Sequence, residues 1–210
     1  MAARPPTVWP VTPVLAAQQE QAALALPEAV HAYYAGGAGE QVSVAEAEAA
    51  WAAVRLRPRV LRDVSHVDTS VQLLGSRLGT PVLVGPTAAH GLAHPAGEAA
   101  TAAGADAAGS LLVLSMRASL PPDQVATAGP WWCQAYVLRD RDLTRAWVRR
   151  AVEAGARAVV LTGDTPYLGA RGGPSRLALT GPGSPGQAQD RRPASRSSTS
   201  SRAAPGCRSS

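Results

Sequence analysis

From Thr80 onward the chain alternates short, unbroken apolar runs with alanine-rich stretches: PVLVGP at 81–86, LLVLSM at 111–116, WWCQAYV at 131–137 and AVVLTGD at 158–164. The runs start 30, 20 and 27 residues apart, room for a helix between each pair of strands. Apolar residues at every position, rather than at every second one, predict strands covered on both faces, as in a parallel sheet. Segments 96–108 and 140–155 are the expected crossover helices. The clearer is RDLTRAWVRRAVEAGA, which sets Leu143, Trp147, Val148 and Val152 on one face and stops at Gly155. Repeated strand–helix units define an α/β fold.

Upstream the period changes. AAQQEQAALAL predicts a helix, and PEAVHAYYAGGAG a second, opened by Pro27 and stopped by Gly36 and Gly37. Ser43 is the expected N-cap of a third, VAEAEAAWAAVRL, anchored by Trp51. No strong strand is expected before these three helices end.

Each predicted strand finishes in residues foreign to a core: Pro86 and Thr87, Ser115 and Met116, Gln134 and Tyr136, Thr162 and Asp164. Polar groups gathered at the C-terminal ends of parallel strands mark where such sheets bind ligands.

Composition narrows the possibilities. All 20 Lys+Arg residues are Arg, and Lys, Asn, Ile and Phe are absent, the signature of a GC-rich gene. Without Lys there is no Walker-type phosphate lysine, and without Asn no N-glycosylation acceptor. The pI of about 10.0 suggests nucleic acid at first sight. Yet residues 172–210 carry six Arg against one Asp, while residues 1–171 carry fourteen Arg and fourteen acids. The body is neutral, and no nucleic-acid partner is expected. Cys133 and Cys207 form no disulfide framework or zinc spacing, and no metal site is expected. The N-terminus has neither a signal-peptide nor a membrane-spanning pattern, so a cytoplasmic protein without membrane insertion is expected. His94 is read as structural, and His31, His66 and His90 as surface or turn residues.

The motifs HAYYAGGAGEQ, RLRPRVLRDVSHVDTS, PVLVGPTA, HPAGE, LLVLSMRAS, WWCQAYVLRDRDL and RRAVEAGARAVVLTGDTPYLGAR occur in this order over residues 20–171. Together they resemble the FMN-dependent 2-hydroxy acid oxidases and dehydrogenases of the glycolate oxidase and flavin L-lactate dehydrogenase type. The resemblance implies the N-terminal part of a (β/α)8 barrel with FMN at its C-terminal mouth. It implies oxidation of a small L-2-hydroxy acid to the 2-oxo acid. By position, Pro86, Thr87, Ala88, Ser115, Gln134 and Thr162 correspond to cofactor-binding residues, and Tyr33, Tyr136 and Arg171 to substrate-binding ones. Asp164 corresponds to the aspartate that orients a catalytic histidine.

This sequence also departs from the family. Met116 and Arg117 stand where a small or hydroxylated residue and an aromatic are common, Gly163 replaces a branched residue, and Ala170 stands where a second arginine is common. The family's strand-borne lysine, its histidine, another substrate arginine and its phosphate-holding glycine turns do not follow Arg171. The expected organisation is a Pro-rich segment at 1–19, a partial barrel at 20–171, and a disordered Arg/Ser/Pro/Gly-rich tail at 172–210 from a truncated or frame-shifted gene. Such a chain is expected to be inactive alone. The homo-oligomer that the family implies is doubtful for a partial barrel, and the alternative to an enzyme is a non-catalytic fragment.

Overall fold

A computed structural model describes residues 13–125, 129–163 and 169–171. Three helices come first: α1 (Pro13–Ala25), α2 (Glu28–Ala35) and α3 (Val42–Ala53). Pro27 caps α2 with φ −55° and ψ 141°, the extended geometry that feeds a helix, and Gly36 ends it. Ser43 does not cap α3. The cap is Gln41, in the left-handed region at φ 60°, whose side-chain oxygen accepts the Gly37 N–H at 3.1 Å. The Gln41 carbonyl accepts the Val44 and Ala45 N–H groups, so the helix begins before Ser43, which lies inside it.

A hairpin absent from the sequence reading follows, β1 (Val71–Leu73) and β2 (Ser76–Leu78). Its turn, Leu74 and Gly75, has φ of 44° and 79°. Two positive φ values in a two-residue loop match the right-handed twist of the strands. Leu78 is buried, and Val71 and Leu73 pack beside it on one apolar cluster.

The parallel sheet contains β3 (Leu112–Leu114), β4 (Trp131–Tyr136) and β5 (Val159–Thr162) in that order. Register pairs Leu114 with Cys133, and Gln134 with Val160. The run at 81–86 contributes a single bridge, Val84 to Leu112, rather than a strand. Pro81 and Pro86 bracket it and lack ladder N–H groups, which holds regular pairing to its centre. A short 3-10 turn (His90–Leu92), α4 (Gly97–Ala107), α5 (Pro122–Val125) and α6 (Arg141–Glu153) complete the elements.

Strand alternation sorts the core into two layers. Leu112, Leu114, Trp131 and Cys133 face the helices, packing with Ala102 and Ala105 of α4, Val125 of α5 and Ala151 of α6. Leu111, Val113 and Trp132 face the other way, onto the hairpin. Asp140 starts α6 by accepting the N–H groups of Asp142 and Leu143, worth about 1 kcal/mol in such caps. The Trp147 indole N–H donates to the Gln134 carbonyl at 3.0 Å and ties α6 to β4. Among the described residues, no helix is long and apolar enough to cross a membrane.

Candidate functional site

The face that carries Val113 and Trp132 into the core carries polar groups at its C-terminal end. Two residues after Val113 comes Ser115, and two and four after Trp132 come Gln134 and Tyr136. On β5 the same parity gives Val160 and then Thr162, directly opposite Tyr136 in the register. The period of two thus moves from core to site within one or two residues.

Gln134 is 1% exposed. Its side-chain oxygen accepts the Met116 N–H at 3.0 Å, which sets the amide's orientation and leaves Nε2 buried without a partner among the described residues. An unpaired buried donor costs about 1–3 kcal/mol, so a ligand acceptor at this point would relieve it. Ser115, also buried, accepts the Arg117 N–H on Oγ at 3.1 Å. Thr144 closes β4 by donating to the Tyr136 carbonyl and accepting the Leu138 N–H.

The loop after the Val84 bridge is Pro86, Thr87 and Ala88, the first two exposed and the third half-buried. It ends at Ala89, a buried alanine with φ 59°. A left-handed alanine costs about 1–2 kcal/mol and needs neighbours to hold it. The Tyr34 hydroxyl donates to the Ala89 carbonyl at 2.6 Å, with Ala88 O at 3.2 Å, and the Ala89 N–H donates to Arg117 O at 3.1 Å. Burial, helped by nearby Tyr33 and Glu98, pushes the Tyr34 phenol up to about 12, so it remains a donor.

Glu98 organises the other side of this turn. It is 1% exposed, and its carboxylate accepts the backbone N–H groups of His90 (2.9 Å), Ser119 (2.8 Å) and Leu120 (3.2 Å). His90 is a turn residue, as its sequence suggested, with Nδ1 2.9 Å from Thr101 Oγ1.

Two arginine–tyrosine pairs stand at the mouth. Arg171 lies over the Tyr33 ring, 5.1 Å from its centroid, and donates from Nη1 to the Tyr33 carbonyl at 2.7 Å. The Gly39 N–H donates to Ala170 O and docks the same segment on the loop between α2 and α3. Arg117 lies over the Tyr136 ring, also at 5.1 Å. Of the residues singled out by sequence, the fold therefore brings Tyr33 to Arg171, Tyr136 beside Thr162, and Gln134 to the turn that begins at Ser115, while Ala89, which follows the Pro86–Ala88 loop, bonds to the Arg117 carbonyl. Asp164 and the tail at 172–210 lie outside the described residues. Tyr34, Ala89 and Glu98 were missed as positioning residues, although the Tyr-Tyr doublet and the acid of HPAGE both lie inside motifs already noted.

Polar groups at the C-terminal end of a parallel sheet are common to barrels and open α/β sheets, and comparison with known proteins narrows the choice. The profile of the FMN-dependent dehydrogenase family matches residues 22–205, and the chain belongs to that family. It is 43% identical over 148 residues to glycolate oxidase of Spinacia oleracea, covering 70% of this chain and 40% of that protein. It is 41% identical over 155 residues to the peroxisomal (S)-2-hydroxyacid oxidase of Arabidopsis thaliana, covering 73% of this chain and 43% of that one. Among solved structures, mandelate oxidase superposes with a TM-score of 0.70 at 36% identity, over 74% of this chain and 46% of that chain. A soluble mutant of the membrane-associated (S)-mandelate dehydrogenase from Pseudomonas putida gives 0.69 at 31%, covering 74% and 45%. The chain thus spans less than half the length of these relatives. Its family is an FMN-dependent oxidoreductase family acting on 2-hydroxy acids.

Proposed function

We propose that this chain forms the flavin-ring and substrate-facing part of an FMN-dependent enzyme that oxidises a small L-2-hydroxy acid to the 2-oxo acid. The observation that carries the reading is the orphaned Gln134 Nε2, buried at the C-terminal end of β4 beside Ser115. It fits a flavin ring, whose pyrimidine side offers acceptors and gains negative charge on reduction. FMN, when bound, supplies the two-electron acceptor for the substrate. Gln134, Ser115 and Thr162 donate hydrogen bonds to the ring edge, and Pro86, Thr87 and Ala88 present backbone and hydroxyl groups to it. Tyr33, Tyr136 and Arg171 hold the substrate's carboxylate and hydroxyl, a guanidinium being suited to two parallel charge-assisted bonds. Asp164 orients a general base.

The four histidines of the sequence are 31, 66, 90 and 94, and none of them follows the motif that ends at Arg171. Fluorescence titration with FMN tests the reading. Wild type should quench flavin emission saturably, and Gln134→Leu should weaken binding about tenfold, the worth of one lost hydrogen bond to a buried group. Equal affinity in the two proteins, with equal melting temperatures, would reject it.

A further inference from the structure

We propose that Arg117 selects a 2-hydroxy acid bearing a second carboxylate, which it takes on the free edge of its guanidinium beside Tyr136. The proposal rests on the hydroxy-acid reading above and adds the chemical class of the substrate.

The first support is how firmly Arg117 is held. Four consecutive backbone N–H groups of its turn are bound: Arg117 to Ser115 Oγ (3.1 Å), Ala118 to Ser115 O (3.0 Å), and Ser119 and Leu120 to the buried Glu98 carboxylate (2.8 and 3.2 Å). The Arg117 carbonyl accepts from Ala89. The side chain is fixed as well, its guanidinium 5.1 Å from the Tyr136 ring centroid. A cation–π contact with a ring face engages the charge of the guanidinium and uses none of its N–H donors in a hydrogen bond.

The second support is what Arg117 lacks. Arg150 and Arg145 pair with Asp123 and Asp142, and Arg171 donates to the Tyr33 carbonyl. Arg117 alone of these four has no hydrogen bond or ion pair from its guanidinium among the described residues. A half-buried cation, pre-positioned and unpaired at the mouth, is a receptor for an anion, and the planar fork matches a carboxylate bidentately. With Arg171 assigned to the carboxylate next to the hydroxyl, the group left for Arg117 is one at the substrate's other end. Monocarboxylic acids would leave it unpaired.

Ligand-observed NMR titration of the full chain, saturated with FMN, tests this with L-malate as the dicarboxylate probe and L-lactate as the monocarboxylate one. L-Malate should bind about tenfold or more tightly than L-lactate, the ratio expected of one charge-assisted pair. That ratio should collapse in Arg117→Met and stay intermediate in Arg117→Lys, which keeps the charge without the fork. Melting curves establish that both variants are folded. Equal affinities in wild type, or a preference that survives Arg117→Met, overturn the assignment and leave the hydroxy-acid reading standing. No saturable signal from either acid overturns both.

Discussion

Strands β4 and β5 read alike in sequence, as WWCQAY and VVLT, yet they meet different surroundings. On β4, Trp131 and Cys133 are buried under α6 while Trp132 and Gln134 are buried on the opposite face. On β5, Val160 packs inward, but Val159 and Leu161 on the helix-facing side are 46% and 64% exposed. Helix α6, which leads into β5, lies on β4 instead, as the Trp147 bond to Gln134 shows. Unbroken apolarity declares that a strand is suited to cover on both faces; whether the cover is present depends on a neighbouring unit.

The largest effect should separate these two strand environments. Leu114→Ala, on the covered β3 next to β4, should cost about 2–5 kcal/mol, as deletions at fully buried leucines do. Leu161→Ala should stay within about 0.5 kcal/mol, as exposed substitutions do. Urea unfolding followed by tryptophan fluorescence compares them. A Leu161 loss as large as that of Leu114 would mean that the helix-facing side of β5 is covered in solution.

A second, smaller loss concerns the mouth above the same strands. Glu98→Ala should cost about 1–2 kcal/mol by removing the acceptor of three partly buried backbone donors. Glu98→Gln, which keeps one acceptor oxygen, should cost less. Amide hydrogen exchange gives the decisive readout: in the alanine variant His90, Ser119 and Leu120 should exchange faster, and a uniform change across the sheet would deny Glu98 its local role.

These contrasts also mark what the sequence could reveal. Helix α6 was legible because Leu143, Trp147 and Val148 repeat at helical spacing and Gly155, at φ 98°, ends it. The strands were legible because their apolar runs are unbroken. The run at 81–86 looked the same but is framed by prolines, and a pattern of hydrophobicity does not report missing N–H groups. The hairpin at 71–78 was missed because each strand has three residues and its turn begins with leucine rather than the usual asparagine or glycine. In the site, residue types at strand ends pointed to Ser115, Gln134, Tyr136 and Thr162. Glu98 and Tyr34 were invisible as organisers because their partners are backbone groups, which carry no residue signature.

Tyr34 supplies a pH-dependent test of that backbone support. Its phenol is raised from 10.0 to about 12, chiefly by burial. Between those values the unfolded chain has lost the proton and the folded chain keeps it, so stability falls as pH rises. The contribution is whole below about pH 10 and gone above about 12. Tyr34→Phe should be less stable at neutral pH, for want of the bond to Ala89, and should lack this alkaline slope. Melting temperatures from pH 8 to 11 compare the two, and parallel curves would show that Tyr34 does not titrate abnormally.

The smallest expected effect is an absence of reaction, and it probes the strand comparison most directly. Cys133 lies on the helix-facing side of β4, 0% exposed and free of any disulfide. Burial also pushes its thiol above the ordinary value, which suppresses the reactive thiolate. In a Cys207→Ser background, a thiol reagent at neutral pH should therefore leave Cys133 unmodified until denaturant is added. Leu161→Cys in the same background puts a thiol on the corresponding side of β5, where the present residue is 64% exposed, and it should be modified at once. The pair is informative because both residues sit in neighbouring strands with outward parity and differ only in cover. Rapid modification of Cys133 would mean that α6 lifts from β4, whereas protection of the cysteine at 161 would mean that some other part of the chain, or a second copy of it, lies over β5.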